Sequence, residues 1–155
     1  MSLEPLLRAL HDAEHALAQH FEDVAAEHRA EHEVHHVARD LARWSLRHAE
    51  ALAVFSGRGV GEHAVRRVPA DGYPHAVLRR ERRLCLLNDL RQVHLHATAV
   101  AVDWEMLSQA AQALRRPELQ RLAADCRPET LRQTAWAQGQ LTVLSPQLLT
   151  VAPGG

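Results

Sequence analysis

Hydrophobic positions recur along this chain in steps that alternate between four and three residues. The first series is Leu3, Leu7, Leu10, Glu14, Leu17, Phe21 and Val24, and the second is Val34, Ala38, Leu41, Ser45, His48, Leu52 and Phe55. That alternation is the stripe of a helix facing a core. It predicts a first helix over about Leu3–Arg29 and a second over about Glu31–Phe55. Ser2 is the expected N-cap of the first, with Glu4 and Pro5 in its first turn, where a missing N–H does no harm. A third series, Leu86, Leu90, Val93, Ala97, Val100, Trp104, Leu107, Ala111 and Leu114, lies in a predicted helix over about His75–Arg115. Its basic opening turns, through Arg83, read as a separable short helix. Pro117-Glu118 opens a fourth helix to about Leu144, with a kink expected near Asp125–Arg127, just before Pro128. Residues 1–144 form one expected domain, and 145–155 a short irregular tail.

Two connections are tight and one is long. Gly57–Pro74 holds four glycines and two prolines and has no helical period. About 18 residues can span roughly 60 Å, whereas a 27-residue helix is only about 40 Å long. The long link can therefore run the length of a bundle. Two antiparallel helical pairs joined by a long crossover are the expected topology, an arrangement typical of ferritin-like bundles.

Glu14, Ser45 and His48 break otherwise apolar stripes. A buried carboxylate or imidazole must be paired, liganded or neutralised, so these positions mark a site. The segments Leu10-His-Asp-Ala-Glu-His-Ala-Leu17 and His48-Ala-Glu-Ala-Leu52 resemble the first helical pair of small bacterial ferritin-like proteins. The stretch from Asp103 to Leu114, then Thr130-Leu-Arg-Gln133 and Trp136, is similar to an uncharacterised branch of that group. The resemblance implies an all-α, ferritin-like antiparallel four-helix bundle and commonly a homodimer.

Ferritin-like di-iron sites take one Glu from each of two helices and Glu-x-x-His from each of the other two. Against that pattern Glu14 fits. Ser45-x-x-His48 keeps the histidine but not the carboxylate. Glu129-x-x-Arg132 keeps the carboxylate but puts arginine in place of histidine. The third helix offers only Asp103 and Glu105 near the required height. Two readings follow. In the first, the di-iron site has degenerated into a metal-free polar core in a non-enzymatic structural or interaction protein: Arg132 stands in for the cation, and His48 and Ser45 are hydrogen-bonded around it. In the second, Glu14, His48 and Glu129, with Asp103, hold iron, manganese or zinc in a metal-binding protein or oxidoreductase. Arg132 separates them: a guanidinium among the carboxylates repels a divalent ion, and one turned outward leaves room.

Composition narrows the remaining classes. The chain has 155 residues and a net charge of −1, which gives no basic footprint for nucleic acid. No apolar run approaches a membrane span, and the N-terminus lacks a signal-peptide pattern. Cys85 and Cys126 make no disulfide framework, so a cytoplasmic protein with free, packed thiols is expected. Lysine and isoleucine are absent, a codon bias that fits a GC-rich bacterial genome. Seven of the twelve histidines lie between His11 and His36. His28, His32 and His36 step by four, and His35 adjoins them. On one continuous helix face they would form a secondary metal cluster, but the first turn falls among them, and a solvated helix end is the simpler reading. His11 and His15 are expected at a helix edge or oligomer contact. Trp44, Trp104 and Trp136 read as core packing, and Arg79-Arg80-Glu81-Arg82-Arg83 as a solvated basic helix start. The apolar tail, Leu141 to Val151, is expected to pack on its own bundle or to dock a protein partner. No Ser/His/Asp spacing, P-loop or Gly-x-Gly-x-x-Gly is present.

Overall fold

The computed structural model describes residues 2–57, 78 and 81–151. Among them are four α-helices, α1 (Glu4–Glu27), α2 (His32–Ser56), α3 (Cys85–Ala113) and α4 (Pro117–Leu149), and a 3₁₀ turn at Arg82–Leu84, with no strand. The predicted loop lies almost wholly outside the described residues, as does most of the expected helical stretch before Arg82.

The stripes read from sequence are the buried ones. Leu7, Leu10, Glu14, Leu17, Phe21 and Val24 of α1 are all buried, as are Val34, Ala38, Leu41, Ser45, His48 and Leu52 of α2. In α3 every stripe residue from Leu86 to Ala111 is buried, and only Leu114, past the helix end, is exposed. Residues of all four helices form one core cluster. Each wholly buried Leu or Phe in it contributes about 1.5–3 kcal/mol.

Helix ends follow local chemistry. Ser2 Oγ accepts the Glu4 N–H at 3.1 Å, although the helix begins after Leu3 rather than directly after Ser2. Gly57, at φ 71°, closes α2 in the left-handed conformation that glycine adopts without steric cost. Between α3 and α4, the Arg116 N–H reaches Ala111 O and the Arg115 N–H reaches Gln112 O. This is a Schellman closure, and it puts a non-glycine residue, Arg115, at φ 54°.

The fourth helix departs from expectation. Pro128 lies inside it as expected, but the helix runs on through Pro146 to Leu149, so residues 145–149 are helical rather than an irregular tail. Each proline removes one backbone donor but has a helix-compatible φ. Leu141 and Leu144 pack against the core, and Arg83 Nη2 donates to Val151 O at 3.1 Å beyond the helix end. Continued packing outweighs the lost bond.

The helices associate unequally. α1 packs closely on α2, and α3 on α4; α1 and α3 join the two pairs, while α2 and α4 approach each other sparingly. Polar side chains occupy that last seam.

Candidate functional site

The α1 stripe carries Glu14 into the interior, where it is 0% exposed, and the α2 stripe carries in His48, 2% exposed. The His48 Nδ1–H donates to Glu14 Oε2 at 2.5 Å, and its Nε2–H donates to Glu129 Oε1 of α4 at 3.0 Å. The ring thus lies between two carboxyl groups, and it donates to both when both of its nitrogens carry protons. Glu129 stands at the edge of the core, its side chain 26% exposed, and its Oε2 accepts from Arg47 Nη2 at 3.3 Å. Trp104 of α3 closes the remaining side, its ring edge-on to His48 at 6.0 Å and 82°. One turn away on α2, Ser45 Oγ accepts from Gln133 Nε2 at 2.9 Å, and Leu41 O accepts from the same nitrogen at 2.9 Å.

Electrostatics follow the geometry. Burial drives the Glu14 carboxyl above its ordinary 4.5, and the His48 ring opposes this. Burial alone would lower His48, but the hydrogen bonds and charges of Glu14 and Glu129 outweigh it and hold the imidazole above 6.5. Glu129, open to water, is lowered by His48 and Arg47 against a desolvation that raises it. The assembly therefore holds its proton more tightly than the separate groups would in water. Glu14 Oε1, Gln133 Oε1 and Trp104 Nε1 are buried with no hydrogen-bond partner.

Glu14, His48 and Glu129 are thus drawn together, with Ser45 one turn away. Asp103 lies half-buried beside them, near enough for its charge to act on Glu14. Arg132 corrects the expectation. It is exposed, and Gln133, one residue on, takes the inward position and meets α2 through its amide. The side chain between the two carboxyl groups is His48. If these groups held a metal, Glu14 Oε1, His48 and Glu129 would supply the ligands. Among the described residues, however, no group of three or more His, Cys, Asp or Glu side chains is already arranged to hold an ion.

The expected histidine cluster is dispersed. The turn after Glu27 sends His28 Nε2 to Asp89 Oδ2 of α3 at 2.7 Å and His35 Nδ1 to Ala25 O at 2.8 Å. His32 and His36 stay on the solvent face of α2, rings 5.6 Å apart. His11 is buried rather than at an edge, packed against the ring of His15 at 4.8 Å. Sequence reasoning missed a second, part-buried contact, His20 Nδ1 to His96 Nδ1 at 2.9 Å across α1 and α3. Burial lowers both pKa values, that of His96 to about 3. The only sequence signal was position: His20 and His96 each directly precede a stripe residue, Phe21 and Ala97.

No helix among the described residues is long and apolar enough to cross a membrane. In comparisons with protein families, curated proteins and solved structures, the chain matches none.

Proposed function

We propose that this is a non-enzymatic structural or interaction protein, a ferritin-like antiparallel bundle whose di-iron site has become a metal-free polar core. One observation carries the reading: His48 commits both ring nitrogens to Glu14 and Glu129, the place a bridging cation would take. Ser45 Oγ, the other candidate for chemistry in this layer, accepts from the Gln133 amide. Val102, Met106 and Leu131 stand exposed on α3 and α4, which favours a homodimer through that face. Val143, Leu149 and Val151 are exposed near the C-terminal end and are the residues that a docking partner would cover.

The test has two parts. The untagged chain is incubated separately with ferrous iron, manganese and zinc, desalted, and assayed by elemental mass spectrometry beside Glu14→Ala. The expected result is no metal whose retention depends on Glu14. Long-range nitrogen-15 spectra of the histidine rings then report His48, which should be doubly protonated at pH 7. A full equivalent of metal lost with Glu14→Ala overturns the proposal and favours the second reading, one divalent ion on Glu14, His48 and Glu129 in a metal-binding protein or oxidoreductase. That reading is kept because Glu14 Oε1 is buried without a partner and Arg132 points away from the core.

A further inference from the structure

The solvent side of α3 repeats the pattern of its core side. Leu95, Ala99, Val102, Met106, Gln109 and Ala113 are separated by alternating steps of four and three, and all six are exposed. Each lies two positions after a residue of the buried stripe, about 200° around the helix. None is charged. The matching positions of α2 show an ordinary water-facing side: Asp40, Arg43, Arg47 and Glu50 stand there. On α3, Val102 is 53% exposed and Met106 48%, so two large apolar side chains meet water in the middle of the row.

α4 continues this face. Ala124, Pro128, Leu131 and Ala135 follow the same alternation and are exposed, and no charged residue follows Arg132 in the helix. A shallow groove of about 230 Å³ is lined by Val102 from α3 and Leu131 from α4, which puts the two rows on one surface. The two charged residues that line it, Glu105 and Arg127, pair with each other at 3.0 Å.

We infer that a second copy of the chain covers this face, with α3 packed antiparallel on α3 about a twofold axis midway between Ala99 and Val102. The inference rests on the homodimer proposed above and specifies its register. A four-and-three alternation on an exposed side is the register of one helix packing on another. A twofold interface sets a surface against itself, so a charged face would oppose like charges, whereas this row opposes none. In the antiparallel alignment Leu95 of each copy meets Met106 of the other, and Ala99 meets Val102, with Gln92 and Gln109 facing at the edge. A parallel alignment would set Ala99 on Ala99 and leave a gap. The face measures roughly 27 Å by 20 Å, enough to bury about 600 Å² on each copy, the lower end of stable interfaces.

Sedimentation equilibrium of the full chain is the test, with circular dichroism verifying the helix content of each variant. The expected result is the mass of two chains at micromolar concentration. Val102→Glu should weaken association by about 100-fold or more, because it buries two carboxylates close to the axis. Val54→Glu, at a position on α2 that is 79% exposed, should leave association unchanged. Leu95→Glu and Met106→Lys should each weaken it alone. An equal mixture of those two variants should recover a dimer, because the opposite charges face each other in the antiparallel register. A monomeric parent chain overturns both the inference and the homodimer. A dimer indifferent to Val102→Glu overturns this face alone, and a mixture no tighter than its separate variants overturns the register. Metal retained through Glu14 would overturn the polar core without touching this interface.

Discussion

Replacing His48 by leucine tests the central interaction most directly. The substitution removes both hydrogen bonds to Glu14 and Glu129 and leaves Glu14, which is 0% exposed, without a partner. Breaking a buried pair in this way costs about 3–5 kcal/mol. Protonation of Glu14, whose pKa burial already raises, keeps the loss towards the lower figure. Glu14→Leu should cost less, about 1–3 kcal/mol, because His48 retains Glu129, which reaches solvent. The double variant, with leucine at both positions, removes the buried polar groups together, and such replacements are often neutral or stabilising. It should fall within about 1 kcal/mol of the parent. For a chain of this size each kcal/mol moves Tm by roughly 2–4 °C, so His48→Leu should melt about 10 °C lower. Urea and thermal unfolding at pH 7, read by circular dichroism, supply the cycle. A double variant destabilised by the sum of the singles would show that the two residues are not coupled and would refute the argument.

Four further outcomes follow from the structure. His48 is raised above 6.5, so its contribution is present below that pH and lost as pH rises through its folded value. His20 and His96 are lowered from 6.5, so theirs is present above 6.5 and lost as pH falls. In stability measured against pH, His48→Leu should flatten the loss at alkaline pH, and His96→Leu the loss on acidification. Cys126 is buried, its thiol pushed up to about 12 chiefly by desolvation, so a thiol reagent should label Cys85 in the native protein and Cys126 only after denaturation. Gln133→Ala removes both amide bonds to α2 and should cost about 1–3 kcal/mol, with faster hydrogen exchange in α2 around Leu41–His48. Arg115→Gly relieves a left-handed residue in the Schellman turn and should stabilise by about 1 kcal/mol in the same urea assay.

The inward face of each helix was legible because a four-and-three alternation survives polar interruptions. Glu14, Ser45 and His48 were found as breaks in a stripe, and burial of the stripe forced them into the core. In α4 the same alternation runs Leu119, Ala123, Cys126, Thr130, Gln133 and Ala137, all buried. It marks Gln133 as inward, whereas a Glu-x-x-His comparison anchored on Glu129 points to Arg132. Glu129 and Arg132 each lie one position before a stripe residue, but Arg132 is turned about 60° further from the stripe and goes to water.

That one-residue offset also explains the missed contacts. His20, His96 and Glu129 each immediately precede a stripe residue. Such positions sit on the shoulder of a helix, where exposure depends on the neighbouring helix. His20 and His96 are covered because α1 and α3 approach closely, and Glu129 stays partly open because α2 and α4 do not. Shoulder positions are also the ones that reach a neighbouring helix: His20 meets His96, Glu129 meets His48 and Arg47, and His28 meets Asp89. Periodicity within one helix identifies what the core must accommodate, but these polar partners depend on pairing between helices. A dihistidine contact can therefore lie in a chain whose stripes read as ordinary bundle.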